Sequence, residues 1–156
     1  MFDIDGVVAD VRHRLHLLER RPKDWPAFFA AAADDPGLAE GIDRVRAAVA
    51  QYEVVWLTGR PGSLRAVTRR WLADHELPVT ELIMRSQRDF RPAPVLKLAE
   101  LNKLRPRQVE LFVDDDATVI AAAREAGFPA VLADWMTASP VSSQTLSQAQ
   151  DQAGRT

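Results

Sequence analysis

No cysteine occurs anywhere in the chain. Disulfides and thiolate metal sites are therefore excluded, and a cytoplasmic setting is the default expectation. No strong charge of one sign is present either. The formal net charge is -2, so no bulk positive field draws a nucleic acid or a membrane surface, and any such contact has to be local. No apolar run approaches the roughly 20 residues of a membrane span, which argues against a membrane protein. The first residues show neither a basic n-region nor an apolar h-region, so they do not read as a signal peptide. The pattern GxxxxGK[ST] is missing, which excludes a P-loop kinase activity from this chain. What is there is ordinary for a globular protein: 156 residues, 47% hydrophobic and 27% charged. That length suits one domain with a real core.

Short apolar runs alternate with segments of helical spacing. Met1–Ile4, Glu53–Leu57, Glu81–Met84, Glu110–Val113 and Ala130–Ala133 read as strands. Between them, Leu38, Ile42, Val45 and Val49 form one helical stripe. Leu64, Val67, Trp71 and Leu72 form a second, and Val95, Leu98 and Leu101 a third. A helix over Ala117 to Ala126 ends at Gly127-Phe128-Pro129, a glycine cap followed by a breaker. The alternation predicts an α/β fold, a parallel five-stranded sheet with helices on both faces. A small helical insert is expected at about 11–36, carrying Trp25, Phe28 and Phe29 as its core. The domain is expected to span 1–137, and the Ser- and Gln-rich residues 138–156 read as a disordered tail.

In such sheets the ligand sits at the carboxyl ends of the strands. Asp3 and Asp5 follow the first strand, Thr58-Gly59-Arg60 the second, and Asp114-Asp115-Asp116 the fourth. Carboxylates gathered this closely repel unless a cation or a proton intervenes. Oxygen donors without histidine or cysteine favour Mg²⁺ over zinc. Thr58 offers a hydroxyl near a helix start, a place suited to an anion. Lys97 offers a compensating charge. Asp116 reads as a helix N-cap rather than a ligand.

DIDGVVAD, then LTGRP, then a lysine, then VDDD, in that order, resembles the motifs of the haloacid dehalogenase (HAD) superfamily of phosphatases, over residues 1–135. WLTGRP, TRRWL, LIMRSQRDFRPAPVLK and VDDDATVI are similar to one branch: the phosphatase domain of phage-type polynucleotide kinase-phosphatases and its stand-alone bacterial relatives. The resemblance implies a Rossmann-like HAD fold with a small helical cap insert, and a phosphomonoesterase using Mg²⁺. It implies Asp3 as a nucleophile forming an aspartyl-phosphate, and Asp5 as general acid and then base. Mg²⁺ would be held by the Asp3 and Asp114 carboxylates and the Asp5 backbone carbonyl. Thr58 and Lys97 would hold phosphoryl oxygens, and Asp115 would support Lys97 or the metal from behind. Gly6 would let the chain turn sharply beside the phosphate. Gly59, Arg60 and Arg88 are assigned to substrate binding. For Arg60, Arg85, Arg88 and Arg91 a solvated basic face is the competing reading.

With only a short insert between the first two motifs, the site is expected to stay open. That suits a phosphorylated nucleic-acid end, with the basic segment Arg85–Arg91 meeting backbone phosphates. Two alternatives stand beside it: a phosphatase of small metabolites, and a non-catalytic phospho-ligand binding module. Receiver domains share an aspartate cluster, a threonine and a lysine, but in a different order. No stable protein partner is implied, and the oligomeric state is left open. Only Met1 and Phe2 precede Asp3, whereas a central strand runs about five or six residues. Strand one therefore reads as clipped, either because the true start lies upstream or because its neighbours compensate.

Overall fold

A computed structural model describes residues 1–19 and 21–136; the expected tail at 138–156 lies outside the described residues. The apolar, β-branched and aromatic runs Val54–Leu57 and Phe112–Val113 form extended backbone, as their packing preference favours. Strand β1 (Val55–Pro61) pairs in parallel with β2 (Glu81–Arg85), and β3 (Phe112–Asp114) pairs in parallel with β4 (Ala130–Leu132).

The chain's first residues lie between these two pairs. Phe2 bridges Trp56 on one side and Val113 on the other. The Phe2 amide donates to Val55 O at 3.0 Å, and Leu57 N donates to Phe2 O at 2.9 Å. On the other side Asp3 N donates to Val113 O at 2.9 Å, and Val113 N donates to Met1 O at 3.1 Å. The expected five-stranded sheet is therefore corrected to two short parallel pairs joined through single bridges of Phe2, with no strand over Met1–Ile4. The cause is local. Beyond Asp3 the chain folds over on itself, with Val7 N, Val8 N and Ala9 N all donating to Ile4 O. Strand ends shift as well: β1 starts later than Glu53–Leu57 and runs past it to Pro61, and β3 reaches Asp114.

Successive strand residues face opposite sides. Trp56 and Val113 join Phe2, Val45, Trp71 and Leu72 in one cluster. Leu57 and Phe112 join Leu101, Val119, Ile120 and Ala123 in another. Helices α3 (Ala39–Val49) and α4 (Arg65–Asp74) thus supply one face, and α5 (Ala93–Lys103) and α6 (Ala117–Glu125) the other. Asp116 caps α6, accepting from Thr118 N at 2.7 Å and Val119 N at 3.3 Å, and Gly127 ends it at φ +84°. In α5 the stripe differs from the expected one: Val95 is 51% exposed, whereas Ala93, Leu96, Lys97 and Leu101 are buried. Ala93, Lys97 and Leu101 share a face at four-residue spacing, and it is the face carrying the lysine that turns inward.

Between the first residues and α3, the short helices α1 (His16–Glu19) and α2 (Trp25–Ala30) build a cluster of their own from Val11, Leu15, Leu18, Trp25 and Phe28. Trp25 stacks on Phe29 at 5.6 Å and meets Phe28 edge-on at 5.7 Å. These rings pack against one another, as insert core does. A cavity of about 680 Å³, lined by residues including Met1, Tyr52, Val54 and Leu111, opens at the amino ends of the strands. It lies at the opposite end from the carboxylates. Among the described residues no helix is long and apolar enough to cross a membrane.

Gly41 marks the closest approach of α3 to the chain turn. A Cβ there would stand 1.8 Å from Val7 O. Alanine in place of a helical glycine ordinarily stabilises by about 1 kcal/mol. Here the sign reverses: Gly41→Ala is expected to destabilise by about 1–3 kcal/mol, read as a lower midpoint in urea unfolding.

Candidate active site

Two backbone segments bring their acids to one place because they are neighbours in the ladder. Asp114 stands one residue beyond the Val113–Phe2 bridge and Asp3 one residue beyond Phe2. Lys97 reaches them from α5, its Nζ donating to Asp3 Oδ2 at 2.5 Å and Asp114 Oδ2 at 2.6 Å. All three side chains are buried. Asp3 also accepts from Ile4 N at 2.6 Å through Oδ1, and Asp114 from Asp116 N at 3.0 Å through Oδ1. Burial lowers the proton affinity of Lys97, but Asp114 and Asp3 more than reverse this and hold it protonated, above its ordinary value. Burial pushes Asp114 up to about 7 despite Lys97, with the charge of Asp3 adding to it. Asp3 is raised chiefly by burial.

Asp115 completes the cluster. Oxygens of Asp3, Asp114 and Asp115 lie within 4.8 Å of one another, so these three carboxylates are close enough to share a hard cation. Asp115 is raised well above its ordinary value by burial, then by Asp114 and Asp3. Gly6 makes room for it. Its φ is +74°, and a Cβ there would stand 2.2 Å from Asp115 Oδ2. The glycine is needed twice, for a backbone conformation side chains rarely adopt and for the space the carboxylate fills.

Asp5 belongs to a separate, adjoining network. Arg60 donates to Asp5 Oδ1 through Nε at 3.0 Å and Nη2 at 2.5 Å, and Arg14 Nη2 donates to the same oxygen at 3.0 Å. Asp35 ties the two arginines together. It accepts from Arg14 Nε and Nη2, each at 2.6 Å, and from Arg60 Nη2 at 2.7 Å. His13 Nε2 lies 2.8 Å from Asp35 Oδ1. Burial would raise Asp5, but Arg60 and Arg14 outweigh it and hold Asp5 below the usual carboxylate value.

Arg60, expected at the substrate, is therefore turned inward: its side chain is wholly buried and its guanidinium is bound to two carboxylates. A bulge explains the turn. Thr58 pairs with Met84 and the next pairing is Pro61 with Arg85, leaving Gly59 and Arg60 outside the register. Thr58 is buried at this edge, its Oγ1 accepting from Arg60 N at 3.2 Å. Gly59 lies beside it in the bulge. Arg88 is exposed on the loop after β2, apart from the buried cluster, and Arg85 is spent on that loop's own carbonyls. Sequence reasoning missed Arg14 and Asp35. Arg14 shares the face of Val11, Leu15 and Leu18 at helical spacing, and a charge on an apolar face is a signal of burial with a partner. Asp35, between Asp34 and Pro36, carries no such mark.

A family model described as "Polynucleotide kinase PNKP phosphatase domain" matches residues 1–134. Among solved structures, a chain in the "Structure of the Pnkp1/Rnl/Hen1 RNA repair complex" is similar at 26% identity with a TM-score of 0.63, over 84% of this chain and 40% of that one. A chain in the "Structure of Pnkp1/Rnl/Hen1 complex" is 24% identical with a TM-score of 0.65, over 84% of this chain and 44% of that one; at that identity the likeness is one of fold. The chain thus spans less than half the length of either. No curated protein matches it.

Removing one member of a buried charge network leaves the others unpaired, at about 3–5 kcal/mol. Asp35→Ala is expected to cost that much in chemical unfolding, since two buried guanidiniums lose a shared acceptor. Glu40→Ala, which removes an exposed pair with Arg44, should cost less than about 0.5 kcal/mol.

Proposed function

The chain belongs to the family of polynucleotide kinase PNKP phosphatase domains, and from that premise we propose that it is a Mg²⁺-dependent phosphomonoesterase acting on a nucleotide or polynucleotide end, in the manner of a 3′-phosphatase. The observation that carries this reading is the buried Asp3–Lys97–Asp114 contact, with a carboxylate held by two arginines beside it.

The residues present fit a divalent cation. Among the described residues, Asp3, Asp5, Asp35, Asp114 and Asp115 lie with three permanently cationic side chains, Lys97, Arg14 and Arg60, and with His13 beside Asp35. Fully ionised, the acids outnumber these permanent cations by two, and their donors are all oxygens, as Mg²⁺ prefers. The carboxylates of Asp3 and Asp114 would hold the ion with the Asp5 backbone carbonyl, and Asp115 stands close enough to support them. When bound, the ion supplies positive charge that screens the attacking carboxylate from the phosphate.

Asp3 is the nucleophile. Its carboxylate oxygen forms a bond to phosphorus while the ester P–O bond breaks, giving an aspartyl-phosphate and an alkoxide. Asp5 protonates that alkoxide. Water then attacks the phosphorus, Asp5 takes its proton, and the acyl-phosphate bond breaks to return Asp3 and release phosphate. The arginine clamp holds Asp5 ionised in the free protein. A phosphate monoanion entering the site adds negative charge that raises Asp5, and brings the proton Asp5 must hold. Lys97, already against Asp3, supplies fixed charge next to the group that is transferred, and Thr58 offers its hydroxyl to a phosphoryl oxygen. Arg60 and Arg14 act through Asp5 as positioning residues. The substrate class is supported by the shortness of the insert, by the basic loop after β2, and by the likeness to a chain of an RNA repair complex.

Phosphate release is expected with Mg²⁺, is abolished by EDTA, and falls by at least about 10³-fold in Asp3→Asn. The measurement uses aryl phosphate, mononucleotides, sugar phosphates and oligonucleotides with 3′ or 5′ phosphates. Preference for sugar phosphates would redirect the reading to a metabolite phosphatase, and silence on every compound to a binding module. A second expectation concerns pH. Arg60→Lys keeps a charge but loses the two-pronged grip, so Asp5 rises toward its ordinary value. The limb of the kcat/KM profile set by Asp5 should then move to higher pH, while the limb in an Arg88→Ala control stays where it is.

A further inference from the structure

The loop between β2 and α5 is anchored to the site at both ends. Its first anchor is Arg85, which follows Met84, the register partner of Thr58. Its last is α5, which begins at Ala93 and carries Lys97 to Asp3 one turn later. The loop is also built to hold a shape. Arg85 Nη1 donates to Asp89 O at 3.0 Å and to Arg91 O at 2.8 Å. Asp89 N donates to Ser86 O at 3.0 Å, and the Asp89 carboxylate accepts from Arg91 N and Nε at 3.0 Å. At the tip of this braced turn stands Phe90, 63% exposed and the most exposed large apolar side chain among the described residues. It lines, with Ser86, Arg88, Asp89 and Arg91, a shallow groove of about 560 Å³.

We propose that Phe90 is a stacking platform for the nucleobase adjoining the phosphorylated end of a single-stranded nucleic acid, with Arg88 meeting the backbone phosphate beside it. This rests on the reading that the site takes a polynucleotide end. The occupant follows from three features taken together. A single flat ring is too small for a protein interface, which needs on the order of 1,000 Å², but it matches one base face. Arg85, Arg88 and Arg91 stand against Asp89 alone within the segment, making it locally cationic in a chain whose net charge is negative. Arg91 is paired with Asp89, so Arg88 is the residue placed to meet a phosphate. Because Phe90 lies outside the buried cluster, it sets which substrates are held rather than how the ester is cleaved.

The test measures binding and turnover on the same proteins. Anisotropy of fluorescent single-stranded oligonucleotides with 3′ or 5′ phosphates is read in EDTA, and kcat/KM is read for the same oligonucleotides and for an aryl phosphate. Phe90→Ala should weaken oligonucleotide binding and kcat/KM about tenfold, the scale of one base–aromatic stack, and leave aryl phosphate turnover unchanged. Phe90→Trp should restore binding. Arg88→Ala should lower the slope of log K against log salt by about 0.7, the release expected for one phosphate contact on a single strand; Phe90→Ala should not change that slope. The inference is overturned if Phe90→Ala binds as wild type does, if it loses aryl phosphate turnover equally, or if wild type binds no oligonucleotide. Wild type that binds oligonucleotides through Phe90 yet cleaves no phosphomonoester would refute the catalytic reading and leave the stacking platform standing. Wild type that cleaves them with Phe90→Ala indistinguishable would do the reverse.

Discussion

Buried negative charge is the constraint on which this molecule's interior depends. Four carboxylates, those of Asp3, Asp5, Asp114 and Asp115, gather at the carboxyl ends of a short parallel sheet, and a low-dielectric site does not tolerate them unbalanced. The fold answers with Lys97 from one face of the sheet and Arg14 and Arg60 from the other side of the site. Each cation is placed by a distinct irregularity. Lys97 depends on the rotation of α5, Arg60 on the bulge after Thr58, and Arg14 on the turn of the insert. The packing of the sheet is ordinary; the local departures are where the charges are balanced.

The two groups of acids are balanced in different ways. Asp5 is saturated with guanidinium donors and held ionised, below its usual value. Asp114 and Asp115 are raised, with one ammonium donating to Asp114 and Asp3. Asp3, raised by burial, and Asp5, lowered by its two arginines, are thus shifted in opposite directions although one residue separates them in the chain. The proposed roles need both directions offset, for Asp3 by the cation that would bind it and for Asp5 by the incoming phosphate.

Much of this was legible in the sequence, because it rests on short-range rules. Alternating strands and helices, the Asp116 cap, the glycine stop at Gly127 and the position of acids after strands are all set by neighbours in the chain. Lys97 was legible through its motif; of the stripe Val95, Leu98 and Leu101, the last two pack inward and Val95 is exposed. What was not legible depends on contacts far apart in sequence. Phe2 as a single-residue bridge needs the turn beyond Asp3. The inward course of Arg60 needs the register of β2, and its partner Asp35 lies 25 residues away in the chain. A pairing of that kind leaves no periodicity to read.

The Asp35 tie has a mechanical meaning. Arg14 lies near the start of the insert and Asp35 at its end, and both are joined to Arg60 or to Asp5 beneath it. The segment between them is therefore pinned at its two feet by the same buried ion pairs that hold Asp5. A flap hinged at those feet would have to break these pairs each time it swung. Such a segment would stand as a fixed wall, not a door, and in the proposed reaction the passage of substrate would be set by the standing shape of the mouth instead of by the rate of a closing motion.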